Sequence, residues 1–296
     1  MRAAILVVVF DFDDTLVPDS TTKLLRSRGI DADKFWSETR DLVARGYDPA
    51  PAYLKLLLDN VAEGKPLAGL TNEKLKEFGA TLDSEFFPGI PEVFTDLRNE
   101  VARFRDIGIE FYINSGGLKP IIEGSKIVQE HFAGVYACEL EGDTESGVLN
   151  HIKRCVTFTE KTRYLFEINK GLDPKETYGK PHLVNRLVPE STRRVPFQNM
   201  IYIGDGMTDI PCFSLVGKGT HAEKGGKAVG VFDPRKRDKA KDILRMFLNE
   251  GRVTGGPYSP RYREDDDLGN WLRGVVTTRC ADITLERKSA LGSEEE

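Results

Sequence analysis

The sequence predicts an α/β protein in which a doubly wound parallel sheet carries a small inserted helical domain, and three observations lead to this fold class. Residues 3–10 (AAILVVVF) are continuously apolar and rich in β-branched side chains, which is typical of a strand buried on both faces of a parallel sheet. Residues 18–87 carry apolar residues at helical spacing and no strand-like run. From residue 88 onward, predicted strands alternate with predicted helices, as they do in doubly wound sheets.

The predicted domain boundaries follow the same changes of pattern. Apolar spacing interrupted by Gly and Pro predicts four helices in the inserted segment, at 20–30, 31–46, 50–63 and 71–82. We therefore assign residues 1–17 and 88–250 to a core domain, and residues 18–87 to a helical domain. Residues 172–198 are predicted to be a long insertion. Residues 251–296 are a C-terminal extension of uncertain structure, with an acidic tail that we expect to be disordered.

Periodicity and turn residues also predict the elements of the core after residue 88. The predicted helices cover residues 91–104, 119–132, 157–170, 208–216 and 234–248. The predicted strands cover residues 109–114, 135–140, 146–149, 200–203 and 229–232, and the second and third of these are expected to form a hairpin. Thr157 and Glu160 are expected to form a capping box that opens a helix ended by Gly171.

Composition and charge narrow the function classes. The formal net charge of −5 argues against nucleic-acid binding as the main function. The apolar run at 3–10 is too short to span a bilayer, so we predict no membrane association. The four cysteines are far apart and form no C-x-x-C pair, which predicts free thiols in a reducing cytoplasm rather than disulfides or a zinc site. The sequence leaves the oligomeric state open.

Polar clusters follow three of the predicted strands: DFDDT at 11–15, NSGG at 114–117 and GDGMTD at 204–209. Because parallel strands point their carboxyl ends the same way, we expect these clusters to converge at one site. The carboxylates brought together would be those of Asp11, Asp13, Asp205 and Asp209. Their mutual repulsion requires a cation, and oxygen ligands without a nearby His or Cys favour Mg²⁺.

Together with a lysine at the start of a predicted helix, these three clusters resemble, in their order along the chain, the four motifs of the haloacid dehalogenase superfamily. The resemblance spans about residues 11–232 and includes DFDDT, the strand-terminal Ser115, a lysine at the start of a helix, and GDGMTD. It implies a Rossmann-like core. For a phosphatase of this superfamily it also implies that Asp11 is the nucleophile, which forms an aspartyl-phosphate, and that Asp13 is the general acid and base. Asp13 argues against dehalogenation, since a halide leaving group needs no proton.

The resemblance further implies roles for the other residues of the site. Ser115 is expected to donate a hydrogen bond to a phosphoryl oxygen, with Gly116 beside it in the substrate site. The expected Mg²⁺ ligands are Asp11, Asp205 and the carbonyl of Asp13. Asp209 is expected to hold either the water on the metal or the lysine. Lys161, in the first turn of the helix predicted at 157–170, is the preferred lysine; the alternatives are Lys153, Lys170 and Lys180.

The position of the helical domain suggests a branch of the superfamily. Residues 18–87 lie between the first and second motifs, and only residues 116–160 separate Ser115 from Lys161. This arrangement resembles the phosphoserine-phosphatase-like members, whose helical cap closes over the active site. The expected function is the Mg²⁺-dependent hydrolysis of a small phosphorylated metabolite. A phosphotransferase or mutase using the same site and a catalytically silent binding module are the alternatives.

Overall fold

A seven-stranded sheet forms the centre of the computed structural model, which describes residues 3–234, 246–247 and 249–292. Its strands are β1 (Ala4–Phe10), β2 (Ile107–Leu118), β3 (Gly134–Gly142), β4 (Leu149–Arg154), β5 (Met200–Gly204), β6 (Lys227–Val231) and β7 (Gly255–Tyr258). The spatial order is β4-β3-β2-β1-β5-β6-β7, and every neighbouring pair is parallel except β3 with β4. The predicted α/β class with a doubly wound parallel sheet is confirmed.

Helices cover the sheet and form the inserted segment. They are α1 (Ser20–Ser27), α2 (Ala32–Ala44), α3 (Pro49–Asp59), α4 (Asn72–Ala80), α5 (Glu92–Val101), α6 (Lys119–Gly124), α7 (Lys126–His131), α8 (Phe158–Lys170), α9 (Pro174–Thr177), α10 (Ile210–Lys218) and α11 (Asp267–Gly292). The four helices predicted before residue 87 are confirmed as α1–α4. Asp19, Asp31 and Thr71 cap α1, α2 and α4, since each side chain accepts a hydrogen bond from the backbone N–H three residues on.

The apolar character of β1 explains its central position. Its residues from Leu6 to Phe10 are at most 1% exposed, so both faces of the strand are covered. The ring of Phe10 packs edge-to-face on Phe94 of α5, with ring centroids 5.9 Å apart. Because β1 pairs with β2 on one side and β5 on the other, the carboxyl ends of these three strands lie side by side.

Several local predictions for the core are wrong. The helix predicted at 119–132 is two helices, because Ser125 has an extended backbone (ψ 131°) and its hydroxyl caps α7 by accepting from the N–H of Val128. The second strand of the hairpin begins at Leu149 rather than at 146, because the Asp143 carboxylate holds the preceding residues in a turn. The helix predicted from residue 208 begins at Ile210, after a 3₁₀ turn.

The start of α8 also differs from its prediction. Thr157 occupies the N-cap position, but its side chain makes no capping hydrogen bond. Glu160, the other half of the expected capping box, instead accepts a hydrogen bond from Arg163. The predicted end is confirmed, since Gly171 adopts the left-handed conformation (φ 69°) that terminates the helix. The helix predicted at 234–248 falls mostly outside the described residues.

The C-terminal extension, for which no structure was predicted, completes the core. β7 extends the sheet, and α11 packs on α5. Tyr262 is fully buried; its hydroxyl donates to the carbonyl oxygen of Thr15, and its N–H donates to that of Pro88. The four cysteines are free, as predicted. No helix in the described ranges is long and apolar enough to cross a bilayer.

α4 crosses α6 at two glycines, and this contact joins the helical segment to the core. A Cβ atom on Gly79 would lie 2.0 Å from the carbonyl oxygen of Ile121, and one on Gly124 would lie 2.1 Å from that of Lys76. The two helix backbones can approach so closely only because neither position carries a side chain.

Gly79→Ala is therefore expected to lower the free energy of unfolding by about 1–3 kcal/mol, because the added methyl group forces the two helices apart. Gly274→Ala in α11 is the matched control, since a Cβ there meets no atom within 4 Å. The control should be stabilising by about 0.5–1 kcal/mol, the usual gain in a helix. Urea denaturation of both variants measures the difference, and equal effects would contradict this account of the crossing.

Candidate active site

The site lies at the carboxyl ends of β1, β5 and β2, as predicted from the three polar clusters. Asp11 follows β1 directly, and its N–H donates to the carbonyl oxygen of Ile203 in β5 at 2.8 Å. Asp205 follows β5, whereas Ser115 lies within β2, which is longer than predicted. The parallel register of neighbouring strands therefore brings together residues that are far apart in the sequence.

Three of the four predicted carboxylates converge. Asp11, Asp205 and Asp209 are buried, and one oxygen of each lies within 4.8 Å of an oxygen of the other two. Asp13 is not part of this group. Its carboxylate Oδ1 accepts a hydrogen bond of 2.6 Å from the N–H of Ser20, the first residue of α1. The carboxylates of Asp11 and Asp13 are thus engaged by different partners, although they are two residues apart.

Lys161 enters this carboxylate cluster from the first turn of α8. Its Nζ lies 3.1 Å from Asp11 Oδ1 and 2.6 Å from Asp209 Oδ1, and its side chain is 1% exposed. Burial by itself lowers the pKa of Lys161, but the negative charges of Asp11 and Asp209 outweigh it and raise the pKa above its ordinary value. The ammonium group therefore stays charged inside the protein.

The alternative lysines lie elsewhere. Lys153 pairs with Glu141 on the exposed hairpin, and Lys170 donates to the carbonyl oxygens of Val184 and Arg186. Lys180 is exposed. Of these lysines, the structure brings Lys161 alone into contact with Asp11.

Asp209 is held by three donors, which leaves it well suited to position the lysine. Its Oδ1 accepts from Lys161 Nζ and from the hydroxyl of Tyr202 at 2.7 Å, and its Oδ2 accepts from the N–H of Gly206 at 2.9 Å. Asp209 was expected to hold either the water on the metal or the lysine, and in the structure it contacts the lysine. Tyr202 was not singled out in the sequence, where it reads as one more apolar residue of a buried strand.

Burial shifts the titration of the first two aspartates. Burial raises the pKa of Asp11 to about 6, even though Lys161 acts to lower it. Burial also raises the pKa of Asp13 well above its ordinary value; the charge of Asp19 adds to this rise, and the hydrogen bond from Ser20 opposes it. The two groups thus bind protons more readily than exposed aspartates do.

Ser115 and the two glycines after it form the other wall of the site. The Ser115 hydroxyl is buried and accepts a hydrogen bond of 3.0 Å from the N–H of Gly117. A Cβ atom on Gly117 would lie 2.7 Å from Asp13 Oδ2, so a side chain there would collide with the carboxylate. The carbonyl oxygen of Gly116 accepts from the hydroxyl of Tyr53, which belongs to α3 of the helical segment.

A cavity of about 340 Å³ connects these groups. Its walls include Asp11, Asp13, Ser115, Lys161 and Asp205 from the core. Trp36 and Tyr53 of the helical segment also line it, and sequence reasoning missed both. Each occupies an apolar position of an amphipathic helix, so no local signal separates them from ordinary core residues.

The donor set suits a hard divalent cation. Asp11, Asp205 and Asp209 offer carboxylate oxygens and bring up to three negative charges, whereas Lys161 supplies one positive charge. Asp11 Oδ1 is buried and, in the described part of the chain, makes an ion pair with Lys161 but no hydrogen bond. Oxygen donors with excess negative charge fit Mg²⁺. Both carboxylate oxygens of Asp209 accept hydrogen bonds, which suits Asp209 to position Lys161 rather than to ligate the cation.

Comparison with known proteins identifies similar chains. No model of a known protein family matches the sequence. An uncharacterized protein from Borreliella burgdorferi is 33% identical over 238 residues, which cover 73% of this chain and 79% of that protein.

Two solved structures share the fold. A HAD-family hydrolase from Salmonella enterica serovar Typhi is 17% identical with a TM-score of 0.51; the match covers 81% of this chain and 66% of that one. A probable phosphoserine phosphatase from Vibrio cholerae, in unliganded form, is 13% identical with a TM-score of 0.54; the match covers 94% of this chain and 66% of that one. The chain thus spans slightly less than two thirds of each of these proteins.

Proposed function

We propose that the chain, which belongs to one family with the Borreliella burgdorferi protein, is a phosphatase of the haloacid dehalogenase-like superfamily, near its phosphoserine-phosphatase-like branch. The fold that it shares with a HAD-family hydrolase and a probable phosphoserine phosphatase supports this proposal. The protein hydrolyses a small phosphorylated metabolite, depends on Mg²⁺, and acts through an aspartyl-phosphate on Asp11. The observation that carries the proposal is Lys161, a buried cation held between Asp11 and Asp209 at a cavity that Asp13 and Ser115 also line.

In the first step, a carboxylate oxygen of Asp11 attacks phosphorus while the bond from phosphorus to the alcohol oxygen breaks. Asp13 donates its proton to that departing oxygen. In the second step, Asp13 takes a proton from water, whose oxygen attacks phosphorus and releases phosphate from Asp11. Lys161 and the Ser115 hydroxyl stabilise the charge on the phosphoryl oxygens, because both are held in a buried site before the substrate binds.

When bound, Mg²⁺ neutralises charge on the phosphoryl group and on the attacking carboxylate. Asp11 and Asp205 would hold it, together with the carbonyl of Asp13. Asp209 keeps Lys161 directed toward Asp11 through the 2.6 Å contact.

The four free cysteines support a cytoplasmic location.

Metal dependence is the experiment that tests the proposal most directly. Activity on a generic aryl phosphate is expected to disappear with a chelator and to return when Mg²⁺ is added, because the carboxylate cluster holds more negative charge than Lys161 can offset. Buffer treated with the chelator and then resupplied with Mg²⁺ is the control for damage by the chelator. Full turnover in metal-free buffer would contradict the proposed cofactor.

Asp13→Asn is expected to lose leaving-group protonation, and the loss should depend on the substrate. For an alkyl phosphate, turnover should fall by roughly 10²–10⁴-fold, the usual contribution of general acid–base catalysis. For nitrophenyl phosphate the defect should be milder, because nitrophenolate leaves without a proton. Steady-state kinetics on both esters measures the difference. Equal losses on the two substrates would mean that Asp13 has another role.

We also propose that residues 18–87 act as a cap over this site. Three contacts support this role: Ser20 donates to Asp13, Tyr53 donates to Gly116, and Trp36 lines the cavity. Since each contact comes from the helical segment and reaches a residue of the proposed site, that segment restricts the space available to a substrate. A compact ester fits such a site, whereas a folded phosphoprotein does not.

A further inference from the structure

We call the 340 Å³ cavity lined by Asp11 and Lys161 the catalytic cavity. A second cavity, of about 510 Å³, continues it between the helical segment and the core. The two share Trp36, Tyr53, Gly116 and Thr208. We name it the apolar groove and define it by Trp36, Thr39, Val43, Ala50, Val156 and Phe158. Its volume lies within the range of roughly 300–1,000 Å³ that is usual for small-molecule sites. A phosphoester bound at Asp11 would therefore have room for its alcohol part in the groove.

Large apolar side chains are exposed on both walls of the groove. Val43, on α2, is 37% exposed, and Phe158, at the start of α8, is 36% exposed. Neither belongs to the hydrophobic core or packs against it, and both line this cavity. Apolar side chains that face one another across a shared cavity are typical of a ligand-binding surface.

Three polar side chains that line the groove, those of Trp36, Thr39 and Tyr53, are hydrogen-bonded within the protein. Trp36 Nε1 donates to the hydroxyl of Thr22 at 2.7 Å, and the Tyr53 hydroxyl donates to Gly116 at 2.7 Å. The Thr39 hydroxyl donates to the carbonyl oxygen of Phe35 at 3.0 Å. These bonds fix the aromatic rings and leave their apolar surfaces toward the groove.

The described residues that line the groove include no carboxylate that could pair with a positive charge. Arg40 is the one charged side chain among the described residues that line it, and none of those residues is acidic. The ammonium group of an amino-acid phosphate would lose water on entering and would gain no carboxylate in return. An apolar group would instead gain from leaving water.

We infer that the substrate is the phosphomonoester of an apolar alcohol, with the phosphate at Asp11 and Lys161 and the alcohol's hydrocarbon part in the apolar groove. This inference rests on the phosphatase function proposed above. The hydrolysis is unchanged: the bond from phosphorus to the alcohol oxygen breaks, and water supplies the oxygen of the released phosphate. The hydrocarbon part of the alcohol can be an alkyl chain or an aromatic ring, since both are apolar.

A series of esters with similar alkoxide leaving groups tests the inference. We would measure kcat/KM with Mg²⁺ for ethyl, butyl, hexyl and 2-phenylethyl phosphate and for phosphoserine. Each buried methylene should raise kcat/KM by up to about fourfold, so hexyl phosphate should exceed ethyl phosphate on the order of 10²-fold. Phosphoserine should be no better than ethyl phosphate. A preference for hexyl phosphate would indicate that the groove binds an alkyl chain, and a preference for 2-phenylethyl phosphate would indicate that it binds an aromatic ring. Either result supports the inference.

Substitutions in the groove test whether the preference for longer hydrocarbon groups depends on its apolar side chains. Val43→Asp and Phe158→Asp should each lower the hexyl-to-ethyl ratio of kcat/KM at least tenfold, because a carboxylate replaces apolar surface. Leu285→Asp is the matched control, since Leu285 is 62% exposed on α11 and does not line the groove. It should keep the ratio of the unmodified protein. Circular dichroism of the three variants checks that each is folded.

The possible failures are distinguishable. If ethyl phosphate is hydrolysed but chain length has no effect, or phosphoserine is the best substrate, the inferred substrate class is wrong and the phosphatase proposal stands. If none of the esters is hydrolysed in the presence of Mg²⁺, both are wrong. A groove variant that keeps the full preference would also overturn the inferred position of the hydrocarbon group.

Discussion

Replacing Asp11 by Asn is expected to reduce phosphatase turnover by roughly 10⁴-fold or more, because an amide oxygen cannot form the acyl-phosphate and loss of a covalent nucleophile removes most of the catalysis. Asn has nearly the same shape as Asp and also removes one negative charge from a buried cluster. We therefore expect the variant to fold. The loss of turnover would then report on chemistry rather than on stability.

Two measurements make this prediction specific to Asp11. After acid quench, label from a ³²P-labelled ester should remain on the unmodified protein as a hydroxylamine-labile adduct, and Asp11→Asn should carry none. Asp33→Asn, an exposed substitution in α2, is the control and should retain turnover and label. Mass spectrometry must exclude deamidation of the new Asn. Unchanged turnover of the intact variant would remove Asp11 from the mechanism.

Lys161→Met is expected to cost on the order of 10²-fold or more in kcat, as does the loss of other preorganised groups that stabilise charge. Met keeps most of the volume but leaves Asp11 and Asp209 without their buried cation. Removing one partner from a buried ion pair costs about 3–5 kcal/mol. In metal-free buffer we therefore also expect a lower free energy of unfolding, measured by urea denaturation.

The competing lysines provide the controls for this second prediction. Lys153→Met and Lys180→Met remove exposed lysines that do not line the catalytic cavity, and both should leave kcat and stability nearly unchanged. Because the stability loss in Lys161→Met comes from uncompensated carboxylates, added Mg²⁺ should restore more stability to this variant than to the unmodified protein. A larger loss of kcat in either control than in Lys161→Met would assign the phosphate-neutralising lysine elsewhere.

The sequence alone determined the features that depend on local pattern. The continuously apolar, β-branched run at 3–10 predicted a strand buried on both faces of a parallel sheet, and Leu6 to Phe10 of β1 are buried in this way. Asp11 and Asp205 directly follow strands, so the parallel geometry of the sheet brings them to one edge. Helix ends were less predictable. Thr157 and Glu160 had the spacing of a capping box, yet the Thr157 side chain makes no capping hydrogen bond and the Glu160 carboxylate accepts from Arg163, one turn further along α8.

Only the tertiary structure decided which distant residues meet. Periodicity placed Lys161 on a helix, but its contact with Asp209 spans 48 positions of the chain and depends on how α8 packs against the sheet. The same holds for Tyr53 at Gly116 and for Tyr262 at Thr15. An apolar stripe shows that a helix face is buried without identifying the surface that covers it. The apolar groove therefore exists only in the folded protein, where the helical segment and the core leave a gap between them.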